Sequence, residues 1–293
     1  MSNQHESESS SAGKSRRDFL SSAALAGAAL AGFTARAQEP ENTRKAESGH
    51  SFSNPGPENE ALRKANPNSN VPPPTDHGNS EPIWYSFDLT HKRVEEGGWT
   101  SQVTQRELPS SKDVAGVRMR LTPGAYRELH WHTAGEWAYM FYGNARVTVL
   151  NPEGTIFIGD VSQGDIWFFP SGFPHSIQGL GPDGCEFLLV FDEGLFSEDD
   201  TFLLSDWVAH TPPEVLSKNF GLDRSAVAKL PTHELYIFPG DLPPSLAEDK
   251  AAVGGKSVES PIPYTFRMAA MSPTRQTAGG EVRVVDSRNF PAT

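Results

Sequence analysis

His130, Trp131 and His132 place two imidazoles two positions apart, and Glu136 follows the turn-prone run Thr133-Ala134-Gly135. Side chains at i and i+2 share a face of a β-strand, so the two imidazoles point together. A hairpin then folds the Glu136 carboxylate back beside them. His175, after Pro170-Ser171-Gly172-Phe173-Pro174, supplies a third imidazole. Three neutral nitrogens and one carboxylate suit a divalent first-row metal. On an octahedral ion such a set leaves room for a bidentate carboxylate, or for substrate plus O2.

The chain has 9 His. His5, His50, His77, His91 and His233 lie in the arm, leader or flanks, and His210 sits at a helix end. Nothing competes with the four-residue constellation as a nucleophilic site. The single Cys185 precedes a strand with no charged partner nearby and reads as core. No phosphate-binding loop is present. Trp131, Trp137, Trp167 and Phe168 are assigned to the core or to the wall of the site.

The elements that must position these residues are strands. From about 99 to 191, short runs rich in Val, Ile, Phe, Trp and Tyr alternate with Gly, Pro, Asn and Asp. Strands are expected at 117–122, 127–133, 137–142, 145–150, 155–158, 166–169 and 186–191. Tyr142-Gly143-Asn144-Ala145 and Asn151-Pro152-Glu153-Gly154 are turn signals. Helical patches are expected at 201–209 and 212–219. The fold class is all-β, a sandwich, barrel or jelly roll.

The framing of the ligands carries a family resemblance. Gly124-x5-His130-x-His132-x3-Glu136-x6-Gly143 is similar to the first cupin motif, and Gly164-x5-Pro170-x-Gly172-x2-His175 to the second. The second motif's closing Asn is replaced by Gly179. The flanks Arg127-Glu128-Leu129, Glu136-Trp137-Ala138-Tyr139, Phe169 to Gly179 and Leu189-Val190-Phe191-Asp192 resemble bicupin oxalate decarboxylases, from about Ile83 to the C-terminus. The resemblance implies the cupin double-stranded β-helix, a jelly-roll sandwich. It implies Mn2+ on His130, His132, Glu136 and His175, one per chain, and O2 as cofactor. Oxalate is the implied substrate, with formate and CO2 as products.

Two further site residues come from the resemblance. Arg127 would hold the substrate carboxylate, a task suited to a guanidinium fork. On a regular strand, parity puts Arg127 on the face opposite His130 and His132, so an inward Arg127 requires an irregularity near Pro123-Gly124. Glu128 has the favourable parity, but a second acid there would repel an anion. Glu198, in Phe196-Ser197-Glu198-Asp199-Asp200, would deliver the proton from a mobile lid. Asp199-Asp200 departs from the family's Ser-Glu-Asn lid and bears on the balance between decarboxylation and oxidation. The rivals are oxalate oxidase activity, giving CO2 and H2O2, and a non-catalytic metal-binding cupin.

Length and charge set the frame. The 293 residues carry a net charge of −12, which argues against a nucleic-acid partner. One cysteine excludes a disulfide framework or a multi-cysteine metal cluster. Residues 1–37 read as a twin-arginine-type export signal, with Arg16-Arg17, an apolar stretch from Ala23 to Phe33 and a small-x-small site at Ala35-Arg36-Ala37. The expected destination is periplasmic or extracellular, with no membrane attachment once the signal is removed. Homo-oligomerisation is left open.

Residues 38–82 are rich in Pro, Asn, Ser and Glu and are expected to form a flexible, disordered arm. The expected organisation is a cupin domain at 83–240, then a linker and the first strands of a second cupin at 241–293. An internal repeat motivates this: Gly97-Gly98 to Pro109 resembles Gly279-Gly280 to Pro291, with Gly-Gly, Val, Arg, an apolar residue and Pro at equal offsets. The repeat leads to the expectation of a bicupin cut short before its second metal site, with 264–293 poorly supported and either draped over the first domain or fraying.

Overall fold

Alternating apolar residues that must all face inward can be buried together by two sheet layers packed face to face. The computed structural model of the protein, which describes residues 59–65, 82–197, 201–254 and 259–293, takes this solution. Its strands begin with β1 (Lys92–Glu95), β2 (Gly98–Val103), β3 (Ala115–Leu121), β4 (Tyr126–Trp131) and β5 (Glu136–Leu150). They continue with β6 (Ile156–Ser162), β7 (Ile166–Phe169), β8 (His175–Gly179) and β9 (Cys185–Phe191). One layer runs β1-β2-β3-β9-β5, with β7 on the far edge of β5. The other pairs β5 with β6 and β8, and β8 with β4. All these pairings are antiparallel.

The long β5 belongs to both layers. Glu136–Gly143 pairs with β9, and Ala145–Val149 pairs with β8. The expected turn at Tyr142–Ala145 is therefore a bend inside one strand, marked by a register shift between Met140 and Tyr142. Gly143 makes the bend: its φ is +75°, and a Cβ there would stand 2.0 Å from the Gly184 carbonyl oxygen. The local turn signal was sound as a glycine requirement, but pairing on both sides keeps the backbone in the sheet. The core lies between the layers, where Val117, Met119, Leu121, Met140, Val147, Val149, Ile177, Phe187 and Leu189 are buried. Each such side chain contributes roughly 1.5–3 kcal/mol by leaving water.

After β9 come β10 (Phe202–Leu203) and α2 (Leu204–Ala209), the helix being numbered after α1 (Glu60–Ala65). Then follow α3 (Pro213–Phe220), α4 (Arg224–Val227), β11 (Ile237–Phe238) and α5 (Leu246–Gly254). β10 and β11 both pair with β4, the strand that carries His130. The expected helical patches are α2 and α3, each within a few residues. Among β1 to β9, β1, β2 and β8 were not anticipated, because short strands with mixed polar residues carry little alternation. The leader, residues 1–37, lies outside the described residues, as does the 38–82 arm except for 59–65 and Pro82. Within that arm, α1 is a short helix that opens with Asn59 Oδ1 accepting the Leu62 N–H at 3.0 Å.

The repeat is visible in backbone hydrogen bonds. β1 and β2 form a hairpin in which Glu95 faces Gly98; β13 (Arg275–Thr277) and β14 (Gly280–Val282), which follow β12 (Thr265–Phe266), form a hairpin in which Thr277 faces Gly280. Downstream, the N–H groups of Glu107 and Leu108 donate to the Thr104 carbonyl, and those of Asn289 and Phe290 donate to the Asp286 carbonyl. Ser111 bonds to Leu108 as Thr293 bonds to Phe290. The last segment is nevertheless anchored on the sandwich rather than unsupported: β12 pairs with β7, and Tyr264 and Phe290 are buried. The β13–β14 hairpin is exposed.

Candidate metal centre

His130 stands opposite His175 across the β4–β8 pair. His132 lies just past the end of β4, and Glu136 opens β5 after a tight turn. That turn is pinned by Asp192 Oδ1, which accepts the Gly135 N–H at 2.7 Å. The Gly172 N–H donates to the His132 carbonyl at 2.8 Å and ties the turn to the loop before His175. One ligand atom from each of His130, His132, Glu136 and His175 lies within 4.8 Å of the others. The structure thus brings together all four residues expected from the spacing.

The tautomers follow from the backbone. Nδ1 of His130 lies 2.6 Å from the Glu128 carbonyl, Nδ1 of His132 2.7 Å from that of Ala134, and Nδ1 of His175 2.7 Å from that of Phe173. A carbonyl only accepts, so each Nδ1 carries the hydrogen and each neutral ring has a bare Nε2. His132 Nε2 then faces Glu136 Oε2 at 3.1 Å, and His175 Nε2 faces the same oxygen at 3.6 Å. Two acceptors so close repel unless a cation or an added proton lies between them. Glu136 Oε1 and His175 Nε2 are buried without a hydrogen-bond partner, which costs about 1–3 kcal/mol per group if nothing fills the gap. A divalent ion fits these residues.

The charge states agree. Burial lowers the His175 pKa and lowers that of His130 further, with the nearby Arg127 charge adding to the effect at His130. Burial by itself would raise the Glu136 carboxyl, but the facing His132 and His175 rings, with a proton on the side toward it, outweigh burial and hold the pKa at about 2; a bound cation would take the place of that proton. Burial thus favours the neutral form of His130 and His175, and Glu136 is a carboxylate.

Arg127 faces inward, and the register shows how. Arg127 pairs with Ile177 and His130 with His175, so β4 uses three positions where β8 uses two. The extra residue is a β-bulge at Glu128-Leu129, which resets the alternation. The irregularity expected near Pro123-Gly124 therefore lies inside the strand. Arg127 is 1% exposed, with its guanidinium 4.2 Å from the centre of the Tyr236 ring and Nη1 3.5 Å from the Tyr236 carbonyl oxygen. Tyr236 is buried with φ +57°, a left-handed conformation that costs a residue with a Cβ about 1–2 kcal/mol.

Glu128 does not present its acid to the metal group. Its carboxylate accepts four hydrogen bonds: from Ser205 N–H at 2.9 Å, Ser205 Oγ at 2.7 Å, Leu235 N–H at 3.0 Å and Tyr236 N–H at 2.6 Å. The signal that could have found this role was the parity conflict itself, since a bulge sends its extra side chain sideways.

The wall of the site is aromatic, but not the aromatics expected. Phe169 stacks on His175 with centroids 4.1 Å apart, and Phe191 and Phe196 meet the His132 ring edge-on at 5.2 and 5.4 Å. Trp167 is core, while Trp131 stacks on Phe202 and Trp137 packs near Phe168 and Phe290. Gly179 stands where the motif's Asn was expected because a Cβ there would meet the Thr122 carbonyl oxygen at 2.5 Å. Burial pushes the Cys185 thiol up to about 12, consistent with a core role. Glu198, Asp199 and Asp200 lie outside the described residues. Their described neighbours flank the site: Thr201 Oγ1 lies 3.5 Å from the Ser197 carbonyl, and β10 pairs with Trp131 and His130.

Comparison with known proteins agrees with this geometry. Residues 87–228 match the family model described as Cupin. The chain is 52% identical over 234 residues to the oxalate decarboxylase OxdC of Bacillus subtilis, covering 80% of this chain and 60% of the relative. One solved structure of that enzyme, made to assign the EPR parameters of its Mn(II) centres, superposes with a TM-score of 0.69 at 49% identity, over 84% of this chain and 63% of the other. An oxalate decarboxylase of Arthroderma benhamiae is 33% identical over 296 residues, covering 92% of this chain and 67% of the relative. The oxalate decarboxylase–formate complex of Lactobacillus farciminis superposes with a TM-score of 0.68 at 52% identity, over 75% of this chain and 64% of the other. The chain thus spans about 60% of the length of the first relative.

Proposed function

The chain belongs to the oxalate decarboxylase family of cupins, and from that premise we propose that it converts oxalate to formate and CO2 at one manganese ion per chain, with O2 as cofactor. The observation that carries the reading is the donor set: one atom from each of three imidazoles and one carboxylate, all within 4.8 Å of one another, with Glu136 Oε1 and His175 Nε2 buried and unpartnered. His130, His132, Glu136 and His175 would hold the ion. When bound, manganese supplies one-electron redox chemistry, which the C–C bond between two electron-poor carbons requires.

The protein's own residues do the rest. A divalent ion, the Glu136 carboxylate and the Arg127 guanidinium sum to +2, which matches the oxalate dianion. Arg127 holds the substrate carboxylate, stiffened by the Tyr236 ring beneath it. Phe169, Phe191 and Phe196 keep water from the reacting carbons. Oxalate dianion plus one proton gives formate plus CO2. Glu198 delivers that proton to the carbon that becomes formate, from the segment that re-enters the fold beside His130. Export by the twin-arginine-type leader would let the protein fold around its metal before leaving the cytoplasm.

The test is a product balance on manganese-loaded protein. Formate and CO2 in equal amounts support the reading. CO2 with H2O2 and no formate shows an oxidase. Metal binding without either product shows a non-catalytic cupin.

A further inference from the structure

Among the described residues, Glu128 is the buried acid beside the site that the reaction as described does not use. It is 4% exposed, it sits in the β4 bulge between Arg127 and His130, and it reaches two other segments. Its Oε1 accepts the Ser205 N–H in the first turn of α2. Its Oε2 accepts Ser205 Oγ and the N–H groups of Leu235 and Tyr236. Its own N–H donates to the Tyr236 carbonyl at 3.0 Å, so Glu128 and Tyr236 are joined twice.

Tyr236 is the platform of Arg127. Its ring lies under the guanidinium and its carbonyl faces Nη1. A left-handed tyrosine keeps that conformation only when its surroundings over-determine it, and Glu128 supplies two of the bonds that hold it, one through its carboxylate and one through its backbone N–H. We propose that Glu128 is a positioning residue for the substrate-binding arginine: its carboxylate locks Tyr236, which aims Arg127, and the same carboxylate fastens the start of α2, just after the Glu198 segment. The inference rests on Arg127 being the cation that receives oxalate.

Chemistry explains why a carboxylate is needed. All four partners donate. A glutamine offers one acceptor oxygen, so either orientation of its amide sets an NH2 against the Ser205 N–H or against those of Leu235 and Tyr236. Glu128→Gln therefore keeps the shape and loses the lock.

The experiment measures oxalate affinity by calorimetry, without O2, on full-length manganese-loaded protein, with metal content determined alongside. Glu128→Gln is expected to keep full manganese and to bind oxalate about 10–100-fold more weakly, the usual scale for a misaimed binding group. In an Arg127→Ala background the same substitution should change nothing further, because its effect runs through Arg127. A purely structural role would weaken binding equally in both backgrounds and would overturn the inference. So would an unchanged oxalate affinity, or loss of manganese from Glu128→Gln, which would route the effect through His130. If Glu128→Gln does not fold, Ser205→Ala decides: a few-fold loss of affinity, absent in the Arg127→Ala background, supports the lock, and no loss overturns it. Absence of oxalate binding by the wild-type chain overturns the proposed function together with this inference. Wild-type binding with an indifferent Glu128→Gln overturns this inference alone.

Discussion

Arg127 and His130 lie three positions apart on one strand and still face the same way, because a bulge places two residues of β4 opposite one of β8. A charge that parity would have turned outward is thereby set beside a ligand, close enough to depress the His130 pKa. Arg127→Lys should keep manganese and fold but raise the KM for oxalate, since an ammonium has no planar fork. Steady-state kinetics with metal analysis checks this; an unchanged KM would remove Arg127 from the substrate.

His132→Ala should abolish activity and weaken manganese binding by more than about 100-fold, because even the hydrogen-bond partners of metal ligands are commonly worth 10–100-fold. Equilibrium dialysis followed by elemental analysis gives the answer, and stoichiometric metal in the variant would sink the ligand assignment.

Glu198→Gln should retain manganese and oxalate affinity while formate production falls by about 10²–10⁴-fold, the usual loss for a general acid. Formate release at the wild-type rate would show that the proton comes from elsewhere.

Asp192→Ala removes the acceptor of the Gly135 N–H and loosens the turn between His132 and Glu136. The expected cost is about 1–2 kcal/mol of stability and roughly 10-fold in metal affinity. A melting curve and a metal titration read the two effects separately. A lowered Tm with wild-type metal affinity would mean the turn is structural only.

The metal-free protein should lose stability in acid in two stages. His130 and His175 are held neutral by burial, below the ordinary value of 6.5. The unfolded chain therefore takes up protons first, and stability falls as pH drops below about 6.5 toward the depressed folded values. Glu136, held at about 2 against an ordinary 4.5, contributes stability that is lost only as pH falls through that lower range. Urea midpoints measured with and without manganese across this range test the sign. A metal-free protein that grows more stable from pH 7 to pH 5 would contradict it.

The tail of the chain should exchange its amides unevenly. β12 and Phe290 are anchored on the sandwich, while Arg275–Thr277 and Gly280–Val282 are exposed. Hydrogen exchange should be slow at Phe266 and fast at Gln276 and Glu281. Uniformly fast exchange would restore the expectation of an unsupported tail.

The ligands were legible because period-two alternation and a three-residue turn are local: His130, His132 and Glu136 follow from them without knowledge of any other strand. The inward Arg127 was not, because a bulge is a property of two strands and only the register against β8 reveals it. Glu128 was misjudged for the same reason; its partners at Ser205 and Tyr236 lie 77 and 108 positions away. At Gly143 the local signal was correct in chemistry and wrong in outcome, since hydrogen bonding on both sides of β5 overrode the turn. The aromatic wall required long-range knowledge too, as Phe191 and Phe196 approach His132 only after β9 closes the layer.

The turn that occurs twice has a bearing on the order of folding. Thr104–Ser111 and Asp286–Thr293 close with the same backbone hydrogen bonds, one beside a hairpin that continues into β3 and the other beside a hairpin exposed to solvent. A conformation indifferent to its surroundings is written in its own residues. Thr104 accepts from Arg106, and Asp286 from Arg288, in the same sense. Loops of this size close in about 10–100 ns. The sandwich must wait for distant partners, as when Glu136 finds Phe191, and such non-local pairings are the slow part of all-β folding. Both turns should therefore form before the sheets they border and enter the search for the native state as ready-made corners.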